Sequence, residues 1–405
     1  MNFIKSSLFS SLTIFIKILS GIIINKVVSV LFGPSGSAVL GQFETFVTII
    51  NKLSNLGFDN GIVTLCAKYN KYKVLLVSIL WTSILGVITS LSLIINSEYL
   101  SKIILMDDSK SSVFVHLAIS VIFIGIYRNV LHYFTSNKAK YFILNIITSL
   151  LILIFSLLFI NMYGMYSVYY SYFITPIIVL IISILFFRNV ELRQFRINKL
   201  GFKLISMKLF SYSTMALVSA LSTPIALILV RIEIESKLGI ENLGYWQGLW
   251  RISEGYLLLI MTILTIYFLP LISKIKVKKK LDIEVISFLK KILLISFIML
   301  LIIFILREFI TSLLYTNDFI IINQFYIYQM ISDFFKTIAL VYGFVLISLK
   351  KTKIFIILQV IYSLSFYLIY KTYEFSSLLD VYKIYLIFSC IYLIIIFLTY
   401  KIKVK

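Results

Sequence analysis

Charged side chains are scarce in this sequence: only 14% of its 405 residues are Asp, Glu, Lys or Arg, whereas 60% are hydrophobic. A soluble domain carries about a quarter charged residues, so the composition excludes an ordinary soluble protein. Proline and glycine are also few, at 4 and 15 residues, and no stretch rich in them marks a linker. The composition therefore predicts a polytopic membrane protein.

The residues that build disulfide and metal sites are almost missing. The two cysteines, Cys66 and Cys390, lie in or beside apolar segments, and His116 and His132 are the only histidines. These four residues give neither a disulfide framework nor a metal-ligand spacing. The sequence also contains no Walker A loop, dinucleotide fingerprint, GxSxG or HExxH motif. We therefore expect no metal, no cofactor and no enzymatic activity.

Acidic residues are the scarcer of the two charge types, with 17 against 38 basic ones and a net charge of +21. In a soluble protein this balance would suggest nucleic acid as a partner. In a membrane protein, basic loops fix the orientation and meet anionic lipid headgroups. We therefore expect membrane lipids and no nucleic acid among the partners.

Apolar segments divide the chain into about twelve spans, most of them near the roughly 20 residues that a transmembrane helix needs. The apolar runs are continuous and not alternating, which favours helices over transmembrane strands. The first segment has no small-residue cleavage site, which favours a retained helix over a signal peptide. The segments are 8–32, 39–65, 74–96, 112–135, 141–162, 165–187, 209–233, 243–269, 289–306, 322–349, 353–372 and 381–401.

Loop charge predicts the orientation. With the N-terminus inside, the cytoplasmic loops hold 25 basic and three acidic residues, and the outer loops hold five basic and ten acidic ones. Because positively charged loops stay in the cytoplasm, both termini are predicted there. A location in the bacterial inner membrane follows from the family resemblance given below.

The chain is predicted to consist of two six-helix lobes, 1–187 and 209–405, joined by an amphipathic cytoplasmic connector, 188–208. Two short matches relate the lobes. LFS occurs at 8–10 and 209–211, and LGQF at 40–43 corresponds to LGYW at 243–246. Both lobes would start inside, which predicts a parallel repeat with the site between the halves.

Several ionisable residues fall deep inside the apolar segments, where a charge costs on the order of 3 kcal/mol. Segment 40–65 carries one polar stripe at helical spacing, which includes Glu44, Lys52 and Asp59. Two later segments each place an acid and a base on one face, able to pair within the helix: Arg251 with Glu254, and Asp333 with Lys336. Such charges must face a polar interior, which predicts a cavity for an anionic ligand. Lys26, Arg231 and Lys383 lie near outer ends and could instead snorkel to the surface.

Two groups of candidate site residues follow from these positions. The candidate ligand-binding cations are Lys17, Lys52, Arg128, Arg251 and Lys336. The candidate ion-coupling residues or counter-charges are Glu44, Asp59, Glu254 and Asp333.

Several stretches carry a resemblance to one family. FGPSG at 32–36 and GQF at 41–43 resemble the Wzx O-antigen flippases, as does Asn60-Gly61. In the second half, the stretches GYWQGLWRISEGYL from Gly244 and YQMISDFFK from Tyr328 resemble the branch that includes the lipid III flippase of enterobacterial common antigen synthesis. Asp59 departs from the pattern, which would have an uncharged residue before Asn60-Gly61.

The resemblance implies a fold like that of the multidrug and toxin extruders (MATE), with about twelve helices in two lobes. It also implies a flippase that moves an undecaprenyl-diphosphate-linked oligosaccharide, an O-antigen or common antigen unit, to the periplasmic leaflet by alternating access. The polysaccharide polymerase and the chain-length regulator would be candidate partners. The alternatives are an ion-coupled exporter of small molecules and a scaffold of a polysaccharide assembly complex. An integral-membrane glycan polymerase is disfavoured because the outer loops are short.

Overall fold

The computed structural model of the chain describes residues 3–187, 197–275, 277–349 and 351–403. Within these ranges the chain is all-α, as predicted. The α-helices are α1 (Phe3–Ser54), α2 (Asp59–Cys66), α3 (Lys71–Ile95), α4 (Ser97–Leu100), α5 (Ser111–Tyr133), α6 (Lys138–Tyr163), α7 (Met165–Ile184), α8 (Lys199–Leu238), α9 (Ile240–Ile263), α10 (Leu269–Ile272), α11 (Lys278–Ile305), α12 (Arg307–Leu314), α13 (Tyr326–Ser348), α14 (Thr352–Thr372) and α15 (Leu378–Lys403). Short π-helical pieces follow α4 (Ser101–Leu105) and α9 (Leu264–Phe268).

Eleven helical stretches in the described part of the chain are long and apolar enough to cross a membrane. The chain is therefore a multi-pass membrane protein. The expected number was about twelve, and the difference lies in the first stretch, Phe15–Ser54, which has 40 residues. At 1.5 Å per residue this stretch is about 60 Å long, about twice the hydrocarbon thickness of a bilayer. It contains most of the first and most of the second predicted segment, and the two are joined through a kink at Gly33, where φ is 63°.

The second predicted segment is not one continuous helix. α1 ends at Ser54 and α2 begins at Asp59, because Leu56 and Gly57 adopt left-handed φ values of 57° and 63°. The Asn55 side chain stabilises this turn by accepting the Gly57 N–H at 3.1 Å. A broken helix is tolerated inside a membrane protein only where other groups satisfy its backbone. The polar stripe of this segment therefore crosses a break.

The first part of α8 covers this break. The Ser213 hydroxyl donates to the Leu56 carbonyl, so it satisfies a backbone group in the irregular turn. Leu209 packs in one buried apolar cluster with Phe58 and Ile62. Close packing here also limits the size of the side chain at position 57, because a Cβ added to Gly57 would lie 3.1 Å from Leu217 Cγ. The start of α8 is thus part of the structure that holds the broken helix.

Contacts within the chain define two compact units. Unit 1 comprises Met1–Val28 and Val39–Pro224, and unit 2 comprises Ser29–Ala38 and Ile225–Lys405. The predicted division at the connector 188–208 stays a prediction: residues 188–196 lie outside the described ranges, and residues 199–208 form the start of α8.

A close helix contact in unit 1 depends on Gly125 of α5. A Cβ at this position would overlap the Ser54 carbonyl and the Thr82 side chain. Small residues let membrane helices approach in this way. The contact places the following turn of α5, which carries Arg128, beside the break between α1 and α2.

Gly125→Ala is expected to lower the free energy of unfolding by about 1–3 kcal/mol, because the added methyl group meets backbone. The measurement is thermal unfolding of the purified protein in detergent. Gly21→Ala is the matched control in the same unit, since nothing lies within 4 Å of a Cβ there. Equal unfolding temperatures for the two variants would show that the α5 contact tolerates a side chain.

Candidate functional site

Asp59 is the centre of a charged cluster in unit 1. Its carboxylate forms ion pairs with Lys52 and, at 3.3 Å, with a terminal nitrogen of Arg128. Asn55 donates a hydrogen bond to the other oxygen, and His132 Nε2 lies 2.7 Å from that same oxygen. Asp59 is 9% exposed. The cluster therefore gathers a buried carboxylate, two basic side chains and an imidazole in one place.

Two backbone features bring these groups together. The break at residues 55–58 places Asp59 in the first turn of α2, where free N–H groups favour a negative charge. On α5, Arg128 and His132 are four residues apart and so share one face. The close approach at Gly125 directs that face toward the end of α1, which carries Lys52.

The Asp59 cluster carries an excess of positive charge. Two cations, Lys52 and Arg128, against one carboxylate leave one net positive charge before His132 is counted. Lys17 of α1 is near enough to Arg128 for the two cations to repel each other. Lys52 and Arg128 are each only partly buried. This arrangement can bind an anion in exchange for contacts with Asp59.

Glu44 occupies a separate position in unit 1. It is half-buried and accepts a hydrogen bond from the Tyr172 hydroxyl at 2.8 Å. Tyr172 in turn contacts Phe43 edge to face. The predicted polar stripe thus reaches two groups of partners, with Glu44 at one end and Asp59 at the other.

Asp333 of α13 is the centre of a second cluster, in unit 2. Tyr385 donates to one carboxylate oxygen at 2.9 Å. The other oxygen accepts from Gln329 at 3.0 Å, and also from Ser253 and Tyr256. Asp333 is 1% exposed. Four donors from α9, α13 and α15 therefore occupy the acceptor positions of one buried carboxylate.

Lys336 reaches this cluster only through Tyr385. Its ammonium lies 3.4 Å from the Tyr385 hydroxyl and 5.2 Å from the centre of the Trp250 ring. Among the described residues no cation lies within 4 Å of Asp333, so the expected direct pair of Asp333 with Lys336 is not formed. The physical reason is the Tyr385 hydroxyl, which lies between the two charges and bonds to both.

The remaining predicted residues of α9 lie around Trp250. Glu254 is exposed and accepts a hydrogen bond from Trp250 Nε1 at 2.9 Å. Arg251 is half-buried on the same helix. Arg231 lies near the end of its predicted segment, and the sequence therefore allowed it to snorkel to the surface. In the structure it is 1% exposed and lies 5.8 Å from the Trp246 ring centre. Cation–π contact and burial thus assign Arg231 to the interior of unit 2.

The sequence did not reveal most of the hydrogen-bonding partners of Asp59 and Asp333. Tyr256 lies three residues after Ser253, a spacing that places both on one face of α9, but a tyrosine in an aromatic-rich segment gives no special signal. Tyr385 comes from α15, which is distant in sequence from Asp333. His132 had a weak signal, since it shares a face with Arg128.

Comparison with known proteins supports the resemblance found in the motifs. No protein-family model matches the chain. The lipid III flippases of Escherichia coli strain K12 and Shigella flexneri are each 24% identical to it over 388 residues, which covers 89% of this chain and 88% of theirs. The predicted resemblance to flippases is confirmed.

Solved structures establish the fold. An inward-facing MATE-family multidrug resistance transporter of the MOP superfamily matches 97% of this chain and 94% of its own, with a TM-score of 0.78 and 14% identity. The chain has a MATE-like fold. An outward-facing MATE transporter matches 99% of this chain and 95% of its own, with a TM-score of 0.72 and 15% identity. A MOP superfamily transporter from Pyrococcus furiosus, described as having a binding pocket of reversed polarity, matches 98% of this chain and 93% of its own, with a TM-score of 0.68 and 15% identity.

The comparisons confirm the fold but do not test the roles of the site residues. The predicted fold class is confirmed, and the named relatives are flippases and transporters, not enzymes. The roles of the nine candidate site residues stay predictions, since a shared fold does not fix what a site binds.

Proposed function

We propose that this chain is a flippase that moves an undecaprenyl-diphosphate-linked oligosaccharide, an O-antigen or common antigen unit, from the cytoplasmic to the periplasmic leaflet of the inner membrane. The observation that carries the proposal is the excess positive charge around Asp59. A diphosphate is an anion that such a cluster can bind. The two similar proteins are lipid III flippases, which supports a lipid-linked substrate for this chain.

Asp59 would act as the counter-charge of the empty site. In this proposal the diphosphate replaces Asp59 as the partner of Lys52 and Arg128, and Asp59 competes for the same cations when the substrate leaves. Transport needs a site that both binds and releases its substrate. The Asp59 carboxylate would favour release, because it lowers the net affinity of the site for the diphosphate. Lys17 would add to the attraction, and Arg251 and Lys336 would contact polar groups of the glycan.

The prenyl chain would remain in lipid, because its transfer into a polar site is unfavourable. Movement would follow alternating access, with both termini in the cytoplasm, and no covalent bond would change. The chain would therefore be a transporter without catalytic residues.

Asp333 is the candidate for ion coupling in this proposal. It is a buried carboxylate linked through Tyr385 to Lys336, so a proton or cation that reaches it can change the hydrogen bonds among α9, α13 and α15. Intramembrane carboxylates with such networks are typical of coupled transporters. Glu44 and Glu254 are the alternatives; Glu44 accepts a hydrogen bond from Tyr172 and Glu254 accepts one from Trp250.

Complementation tests the function. Expression of the chain is expected to restore surface polysaccharide in a bacterial strain that lacks its O-antigen flippase or its lipid III flippase. The same strains are scored for drug resistance. Increased drug resistance without restored polysaccharide would instead identify a small-molecule exporter, the function of some MATE-fold transporters. Restoration by variants without the cluster cations would favour a scaffold.

A further inference from the structure

A cavity of about 380 Å³ lies in unit 1, apart from the Asp59 cluster. Four membrane-spanning stretches have an end at or beside it: one begins at Lys71, one ends at Ser136, one begins at Lys138 and one ends at Phe187. None of Lys52, Asp59, Arg128 or His132 lines it. The cavity therefore lies at the level of the membrane surface, which loop charge predicts to be the cytoplasmic one.

Two lysines give the cavity a positive charge. Lys71 Nζ lies 5.1 Å from the centre of the Tyr72 ring and 5.8 Å from that of Tyr133. Lys140 Nζ lies 5.4 Å from the Phe134 ring centre, and it donates to the Phe186 carbonyl at 3.2 Å. Among the described residues, no carboxylate lies within 4 Å of either ammonium.

The aromatic rings hold these ammonium groups at the cavity. Tyr133 contacts Tyr72 at 6.0 Å between ring centres, and Phe134 contacts Phe186 at 5.7 Å. Tyr133 and Phe134 are each 4% exposed, so they form fixed walls. The result is a site with aromatic walls and two positive charges, and its volume is in the range of about 300–1,000 Å³ that small-ligand sites have.

We propose that this cavity binds the phosphate-bearing headgroup of an anionic phospholipid of the cytoplasmic leaflet. The position at the ends of four spans favours a lipid over a dissolved anion, because the headgroup is delivered there while its acyl chains stay in the bilayer. Basic pockets between membrane helices recognise such headgroups. Binding would tie together the ends of α3, α6 and α7 independently of the transported substrate.

Lipid binding to the purified full-length protein tests the proposal. The probes are phosphatidylglycerol, zwitterionic phosphatidylethanolamine and inorganic phosphate, and the readouts are retention of lipid in native mass spectrometry and the rise in unfolding temperature. Phosphatidylglycerol should bind selectively. The double variant Lys71→Gln/Lys140→Gln should weaken its binding at least about 10-fold, as expected when two lysines near an anionic headgroup are lost.

The matched control is Lys371→Gln/Lys401→Gln. These exposed lysines also lie over aromatic rings, Tyr367 at 5.6 Å and Phe397 at 4.8 Å, but do not line the cavity. Equal loss of phosphatidylglycerol from both double variants would overturn the proposal. Equal binding of phosphatidylethanolamine, or full competition by inorganic phosphate, would also overturn it, since the cavity would then not select an anionic lipid.

Discussion

Arg128→Ala is expected to reduce transport of the lipid-linked oligosaccharide by about 10- to 100-fold, the effect of losing one charge-assisted hydrogen bond of 1.5–3 kcal/mol. Arg128 is the cation of the Asp59 cluster that carries several donors in a planar group, and such a group matches phosphate oxygens. Asp59 keeps Lys52 as a partner in this variant, so the carboxylate is not left alone. The measurement is surface polysaccharide in the complemented strain, at equal protein level.

Three variants separate binding of substrate from general charge effects. Lys383→Ala is the control, because Lys383 is an exposed lysine of α15 outside both clusters. Arg128→Lys should keep part of the transport, since it retains the charge and loses the planar group. Asp59→Asn should retain more transport than Arg128→Ala, because both cations remain. A loss in Asp59→Asn as large as in Arg128→Ala would assign the transport role to Asp59 itself.

Asp333→Asn is expected to leave the protein folded but to reduce transport at least about 10-fold, the rate equivalent of 1.4 kcal/mol. The side chain keeps its size, and the hydroxyls of Ser253, Tyr256 and Tyr385 can rotate to accept as well as donate. The exchangeable charge is lost. The measurement is transport into proteoliposomes with and without an imposed pH gradient, and Asp333→Asn should no longer respond to the gradient.

Asp333→Ala separates the contribution of Asp333 to protein stability from its proposed role in ion coupling. It leaves four donors without their acceptor, and each buried unsatisfied group costs about 1–3 kcal/mol. Its unfolding temperature should therefore fall well below that of Asp333→Asn. Asp318→Asn, at an exposed position in the same unit, is the control and should change neither quantity. A pH response of Asp333→Asn equal to that of the unsubstituted protein would exclude Asp333 as the coupling residue.

Most of the fold could be predicted from the sequence, because continuous apolar runs depend on short-range chemistry alone. The break before Asp59 could not. Nothing in the order of Asn55, Leu56 and Gly57 requires two left-handed residues, and the turn depends on Ser213 of α8, which is distant in sequence. A stripe drawn on an ideal helix therefore placed Lys52 and Asp59 on one face without showing that they meet.

In the candidate site, too, the sequence did not reveal contacts between residues that are distant in the chain. Spacing within one helix predicted which face carries Asp333 and Lys336, but the group between them, Tyr385, comes from another helix. Comparison with the flippase pattern gave Asp59 little weight, since an uncharged residue was expected there. Its contacts with Lys52, Arg128 and His132 give it a central position in this chain. Long-range pairing of polar side chains is what single-sequence reasoning does not supply.

The central claim is that this chain moves a lipid-linked oligosaccharide and uses the Asp59 cluster to do so. The most direct test reconstitutes the purified protein in proteoliposomes with an undecaprenyl-diphosphate-linked oligosaccharide and measures how much glycan becomes accessible on the opposite leaflet. The account predicts movement with the unsubstituted protein and Lys383→Ala, and little with Arg128→Ala. Movement no faster than in protein-free liposomes, or equal movement with Arg128→Ala, would contradict it.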